Sequence, residues 1–131
     1  MNIQITLTGE RRRRRFMISI NHHDLWVSYA QLNVILQLLR GRESSSTGYI
    51  RDPDSLYPKA IYELRTLLNK EIDENFGHKL IETGGVVEYR IVFDDIILSD
   101  SFEELVAIDV VSRDEFLKLQ EKFGHRSDMR Q

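Results

Sequence analysis

The sequence predicts an α+β fold, and three observations lead to this prediction. Apolar residues alternate with polar ones near the start of the chain, as they do in half-buried strands. Two later segments carry apolar residues at helical spacing, and a glycine pair interrupts a β-rich run after the second of them. With 131 residues, of which 41% are hydrophobic and 30% charged, the chain is long enough for one core of ordinary domain size.

The first two strands are expected to form a hairpin. Residues 2–8 place Ile3, Ile5 and Leu7 on one face, and residues 16–20 resume the alternation. Between them lies a run of five arginines, which are Arg11, Arg12, Arg13, Arg14 and Arg15. Two interpretations of the run stay open. It is either a solvated hairpin tip kept soluble by like charges, or a patch that contacts phosphates without reading bases.

A core helix is predicted after the hairpin. Residues 21–24 form a polar turn and residues 25–27 lead into the helix. Ser28 and Gln31 make a capping-box pair at its start, and Gly41 is expected to end it. Its buried stripe consists of Leu32, Ile35, Leu36 and Leu39. Residues 42–54 then predict a loop with a short strand at residues 49–50.

Residues 59–93 predict an amphipathic helix that runs into a short hairpin. The apolar stripe of this helix consists of Ile61, Leu64, Leu68 and Ile72. The opposite, polar face consists of Lys59, Tyr62, Glu63, Thr66, Asn69, Lys70 and Asp73. Gly77 is expected to end the helix, and residues 79–83 and 86–93 to form two strands around a turn at Gly84 and Gly85. A helix with a free polar face followed by a two-stranded wing is a common way to present side chains to a DNA groove.

The remaining residues predict a strand and helix extension. Acidic residues border a strand or a turn near residues 96–98, and residues 105–111 predict a further strand. Ser112 and Glu115 form a second capping box at the start of a helix, which Gly124 ends. One face of that helix carries Phe116, Leu119 and Phe123, which we expect to be the contact of a possible homodimer. Residues 125–131 are expected to be a frayed tail.

The order of these elements resembles the winged-helix effector domain of OmpR/PhoB-type response regulators over about residues 1–93. The matching segments are residues 25–32 at the start of the core helix, 61–68 in the second helix, and 80–83 with 88–91 in the hairpin. The resemblance implies a winged helix over residues 1–93, with an N-terminal antiparallel sheet, a core helix, a recognition-type helix and a C-terminal wing. Residues 94–131 would be an acidic strand and helix extension, packed on the same domain.

The resemblance also implies binding to double-stranded DNA and a role in transcription regulation. The residues that would face the major groove are Lys59, Tyr62, Thr66, Asn69 and Lys70. The residues that would contact phosphates are Lys79, Arg90 and the run from Arg11 to Arg15.

The sequence departs from the family pattern in its charges. The family usually carries arginines where this chain has Glu63, Thr66 and Leu67, and its wing tends to read Arg-Gly-Val-Gly-Tyr-Arg where this chain has Gly85 to Arg90. Residues 59–74 carry three basic against four acidic residues, a net charge of −1. Residues 1–93 carry 13 Lys and Arg against 11 Asp and Glu, whereas residues 94–131 carry 5 against 10. An alternative is therefore that the same fold serves as a protein-interaction module that does not bind DNA, with the acidic residues 94–131 and the near-neutral face of the second helix contacting a protein partner.

Other classes of function are disfavoured by the composition. The chain has no cysteine, which is typical of a protein without disulfides or thiolate metal sites and fits a cytoplasmic location. His22 and His23 have no second cluster at metal-ligand spacing, so we expect no metal and no cofactor. No nucleophile and base pair appears, and no apolar run reaches the roughly 20 residues that span a bilayer. We expect a protein that is not an enzyme.

Overall fold

Strands and helices alternate along the chain in the computed structural model, which describes residues 2–44, 47–51 and 57–124. The strands are β1 (Gln4–Arg12), β2 (Arg15–Ile20), β3 (His23–Ser28), β4 (Ile50–Arg51), β5 (Ile81–Thr83), β6 (Glu88–Ile91) and β7 (Asp95–Leu98). The helices are α1 (Tyr29–Ser44), α2 (Tyr57–Glu71), α3 (Phe76–Leu80), α4 (Glu104–Ala107) and α5 (Arg113–Leu119), with a 3-10 turn at Asp100–Glu103 and a π turn at Gln120–Gly124. The fold is therefore of the mixed α+β class, as predicted.

The chain forms two compact units. The sheet unit comprises Met1–Trp26 and Phe93–Gln131, and the helical unit comprises Val27–Val92. The chain thus leaves the sheet unit within β3 and returns to it before β7. Residues 94–131, expected as an extension, share a unit with the N-terminal strands.

The sheet unit is built on four strands in the order β3-β2-β1-β7. The predicted hairpin is confirmed, because β1 pairs antiparallel with β2 and places Leu7 opposite Ile18. The sheet is not purely antiparallel, however, since β7 pairs with β1 in parallel and places Ile96 beside Ile5. All four of these side chains are buried, so the apolar face of β7 completes the apolar face of the hairpin.

Two turns connect the first three strands. Arg13 and Arg14 form the turn between β1 and β2, and Arg13 has a φ of 58°, in the left-handed region. Asn21 and His22 form the next turn, with φ values of 49° and 71°. Positive φ at both central residues is typical of two-residue hairpin turns. The polar turn predicted at residues 21–24 is therefore shorter than expected, and residues 25–27 belong to β3 rather than to the approach to a helix.

The helical unit begins with α1, whose predicted capping box is confirmed. The Ser28 amide donates to Gln31 Oε1 at 2.9 Å, and the Gln31 amide donates to Ser28 Oγ at 3.2 Å. The prediction that Gly41 ends this helix is wrong, since α1 continues to Ser44. Gly41 serves a different purpose, because a Cβ there would lie 1.9 Å from Ile50 Cγ2. Close packing of β4 on α1 is what requires glycine at this position.

The second helix and the hairpin of the helical unit lie near their predicted places. Ile61, Leu64 and Leu68 of α2 are buried, and β5 pairs antiparallel with β6 in a three-stranded sheet of order β4-β6-β5. The strands are shorter than expected, and Lys79 lies in α3 rather than in a strand. Gly77 also lies in α3, after α2 has already ended at Glu71. No helix of the described ranges has the length and apolar character that a membrane span requires.

The C-terminal part of the sheet unit contains one error of prediction and one partial success. Residues 105–111 are not a strand, because α4 and a turn occupy them and the amides of Val110 and Val111 both donate to the Leu105 carbonyl. Only the Ser112 half of the predicted capping box of α5 is present, with the Glu115 amide donating to Ser112 Oγ at 3.1 Å, because Glu115 Oε2 is buried without a hydrogen-bond partner among the described residues. The tail predicted for residues 125–131, together with residues 45, 46 and 52–54 of the predicted loop, lies outside the described residues.

The predicted dimer contact is occupied within the protomer. Phe116 and Leu119 are buried, and the Phe116 ring lies 5.9 Å from the ring of Phe102. The ring of Phe123 meets that of Phe93 edge to face at 6.0 Å. These three side chains therefore pack inside the sheet unit rather than presenting an apolar face for a second copy.

We predict that Gly77→Ala destabilises the protein by about 1–3 kcal/mol. A Cβ at Gly77 would lie 2.7 Å from the Cα and carbonyl oxygen of Arg65, which are backbone atoms and cannot move alone. The gain of up to about 1 kcal/mol from replacing a helical glycine by alanine is too small to offset this overlap. The free energy of unfolding, measured in urea by circular dichroism, tests the prediction.

The matched control is Gly85→Ala. The nearest atom to a Cβ at Gly85 is Glu88 Oε1, the end of a flexible side chain, so we expect a change within about 0.5 kcal/mol. Equal stability of the two variants would contradict the importance of the α2 and α3 contact.

Candidate nucleic-acid interface

The residues predicted to contact DNA fall into two sets, one in each unit. Arg11 to Arg15 lie at the β1-β2 turn of the sheet unit. Lys59, Tyr62, Thr66, Asn69, Lys70, Lys79 and Arg90 lie in the helical unit, on α2, α3 and β6.

All five arginines of the β1-β2 turn are exposed. Arg11 has one distant acidic neighbour, since its Nη1 lies 3.9 Å from Glu104 Oε1. The guanidinium of Arg12 lies over the ring of Trp26, 5.4 Å from its centroid. Within the described ranges, no ion pair or hydrogen bond engages the side chains of Arg13, Arg14 and Arg15. The turn, which we call the arginine hairpin (residues 11–15), therefore carries a concentrated and largely uncompensated positive charge.

The outer face of α2 offers fewer available groups than its sequence indicated. Lys59 and Lys70 are exposed, and Tyr62 is exposed over 71% of its surface. The Thr66 hydroxyl donates to the Tyr62 carbonyl at 2.9 Å, and Asn69 Oδ1 accepts from the Gly77 amide at 2.7 Å. The Asn69 contact holds α3 against α2. Both side chains that would be suited to reading bases thus already make bonds within the unit.

Arg65 is a structural residue that the sequence interpretation did not select. Its Nη2 donates to the Ile81 carbonyl at 2.5 Å and to Thr83 Oγ1 at 2.9 Å, so it joins α2 to β5. The guanidinium also lies 5.9 Å from the centroid of the Tyr89 ring on β6. Burial lowers the pKa of Arg65, and the nearby Tyr89 opposes this effect. Its Nε is buried and has no hydrogen-bond partner among the described residues.

A sequence signal for this role existed. Arg65 follows Ile61 by four residues and precedes Leu68 by three, which places it at the edge of the buried stripe rather than on the polar face. An arginine at such a border can pack its stem and direct its guanidinium toward a neighbouring element.

The charge of Arg90 is compensated within the β5-β6 hairpin. Its Nε donates to Glu82 Oε1 at 3.0 Å, and its Nη2 forms an ion pair with the same oxygen. Its guanidinium lies 4.6 Å from the centroid of the Tyr49 ring and donates to the Thr47 carbonyl at 3.4 Å. The hydrogen bond to Glu82 raises the pKa of Arg90. Lys79 is compensated similarly, because its Nζ lies 3.4 Å from Asp73 Oδ2.

The tip of the β5-β6 hairpin is apolar rather than basic. Val86 is exposed over 81% of its surface, and Val87 has a φ of 49°, which is unusual for a β-branched residue. The carboxylate of Glu88 accepts from the Gly85 amide at 2.9 Å. This contact explains why an acidic residue is accommodated at the tip, since it closes the turn.

A shallow cavity of about 160 Å³ lies beside α2, α3 and β6. Its lining residues are Pro58, Ile61, Tyr62, Arg65, Thr66, Asn69, His78 and Tyr89. Within the described ranges, no group of three or more His, Asp or Glu side chains is arranged to hold a metal ion.

Comparison of the chain with protein-family models, with curated proteins and with solved structures finds no match in any of the three.

We predict that Arg65→Met weakens the attachment of the wing. Loss of the two hydrogen bonds to β5 is expected to lower the free energy of unfolding by about 1–3 kcal/mol. Hydrogen exchange followed by NMR is expected to show reduced protection of the β5 and β6 amides. Lys59→Met is the matched control, since it removes an exposed cation from the same helix and is expected to change stability by less than about 0.5 kcal/mol. Unchanged protection of β5 in Arg65→Met would contradict the role assigned to this guanidinium.

Proposed function

We propose that the protein binds double-stranded DNA through phosphate contacts, with little dependence on base sequence. The observation that carries this proposal is the arginine hairpin, in which Arg13, Arg14 and Arg15 are exposed and engage no acidic group of the described chain. Positive charge displayed in this way favours a polyanion, because each neutralised phosphate releases bound counterions.

The helical unit supports the same proposal in a secondary role. The winged-helix resemblance of the sequence supports it, and the helical unit has α1, β4, α2 and α3 ahead of the β5-β6 hairpin. Lys59 and Lys70 provide exposed cations on α2. The side chains of Thr66 and Asn69 are engaged within the unit, so the usual donors and acceptors for reading base edges are committed elsewhere. Contacts to the backbone are therefore expected to dominate over base recognition.

We predict that the double substitution of Arg13→Gln and Arg14→Gln flattens the salt dependence of duplex binding. The slope of the logarithm of the binding constant against the logarithm of salt concentration is expected to fall by about 0.9 for each lost phosphate contact. Fluorescence anisotropy of a labelled duplex, measured at several salt concentrations, gives this slope.

The matched control carries Arg113→Gln and Lys118→Gln. Both residues are exposed on α5 of the same unit, and their replacement changes the net charge by the same amount. The control is expected to keep the original slope. Equal slopes for both double variants, or failure of any duplex to bind at low salt, would overturn the proposal.

We predict a smaller effect on the salt dependence of duplex binding from substitutions in the helical unit. Lys59→Gln and Lys70→Gln together are expected to reduce the salt slope by up to about 0.9, the value of one phosphate contact, because both ammonium groups are exposed without an ion pair among the described residues. Lys79→Gln is the control with less effect, since Lys79 already pairs with Asp73. Duplexes of unrelated sequence are expected to bind with similar affinity. A strong preference for one sequence would contradict the backbone-dominated mode.

A second candidate function is binding of a protein partner through the outer face of α2. Tyr62, exposed over 71% of its surface beside the cavity, favours this candidate because tyrosine is enriched in protein interfaces. Tyr62→Ser separates the two functions. Reduced affinity for DNA would assign Tyr62 to the nucleic-acid interface, whereas unchanged affinity would leave the face for a protein.

A further inference from the structure

Arg12 of the arginine hairpin lies beside Trp26, the single tryptophan of the sequence. Trp26 lies in β3, between the buried residues Leu25 and Val27. Because side chains alternate along a strand, the indole is on the opposite face of the sheet and remains partly exposed. The guanidinium of Arg12 lies over this indole at 5.4 Å. A flat aromatic group and a flat cation thus lie close together at the base of a strongly basic turn.

We propose that Arg12 and Trp26 form a stacking platform for an unpaired nucleobase. Aromatic rings and arginine guanidinium planes are the two groups on which proteins stack the bases of single strands. Arg13, Arg14 and Arg15 follow Arg12 directly and are positioned by the turn to contact the phosphates that flank the base. The platform recognises an unpaired base on a sugar-phosphate strand, in addition to the phosphate contacts that the hairpin makes with a duplex.

This inference rests on the proposed function for its phosphate contacts, but it adds a separate requirement. Phosphate contacts alone make the hairpin indifferent to whether bases are present. A stacking platform makes binding depend on the base and alters the environment of the indole. Intrinsic fluorescence reports this contact alone, since Trp26 is the only tryptophan.

The experiment compares two strands of about 12 nucleotides, one of oligothymidylate and one with the same backbone but abasic sugars. The oligothymidylate is expected to change the Trp26 emission and to bind about tenfold more tightly than the abasic strand, at equal salt concentration. An oligouridylate of the same length identifies whether DNA or RNA is the better source of the base. Equal affinity for the first two strands, with unchanged emission, would overturn the platform.

A charge-conserving variant isolates the stacking from the charge. Arg12→Lys keeps the positive charge but removes the guanidinium plane, so its affinity for oligothymidylate is expected to fall several-fold while that for the abasic strand stays unchanged. Arg113→Lys is the matched control, because Arg113 is exposed on α5 of the same unit and lies outside the arginine hairpin, and it is expected to leave both affinities unchanged. Equal effects of the two variants would contradict the platform. The proposed function fails separately, if no duplex binds at low salt, whatever the affinity for the single strands.

Discussion

The attachment of β5 to α2 by Arg65 is the interaction on which the helical unit depends. Gly77 begins this arrangement, because only a residue without a Cβ can approach the Arg65 backbone as closely as it does. The Asn69 side chain then holds the Gly77 amide, which fixes α3 against α2. Since α3 leads directly into β5, the carbonyl of Ile81 comes within reach of the Arg65 guanidinium. Gly77, the side-chain amide of Asn69 and Arg65 thus together determine where β5 begins.

This arrangement has an electrostatic consequence for the outer surface of the unit. Arg65 is directed inward, where desolvation lowers its pKa, and Arg90 is compensated by Glu82. Arginines that would otherwise be available to phosphates therefore stabilise the wing. The arginine hairpin differs from these two residues, since no hydrogen bond or ion pair among the described residues engages the side chains of Arg13, Arg14 and Arg15. Local charge, rather than the total of −3 for the whole chain, is what distinguishes a binding surface from a structural one.

Sequence patterns predicted those elements whose determinants are local. The β1-β2 hairpin follows from period-2 alternation, and the start of α1 follows from the Ser28 and Gln31 pair. The parallel partner of β1 was not predictable in this way, because Ile96 lies about ninety residues from Ile5 and its apolar pattern does not identify a neighbour. Gly41 and Gly77 were interpreted as helix ends for a related reason. Their actual role is close packing against Ile50 and Arg65, and such contacts exist only in the folded chain.

The candidate site shows the same division between local and distant information. The compensation of Arg90 could have been derived from the sequence only with the correct turn, because a loop at residues 85–87 places Glu82 opposite Arg90, whereas the predicted turn at Gly84 and Gly85 places it opposite Val87. The contact of Arg12 with Trp26 could not, since it requires β3 to lie beside β2 and β1 to extend beyond its regular register, where the pairing shifts between Leu7 and Arg11. An irregularity of this kind redirects side chains at the end of a strand. The arginines of the run therefore have different environments, because Arg12 lies over an aromatic ring while the next three residues are exposed to solvent.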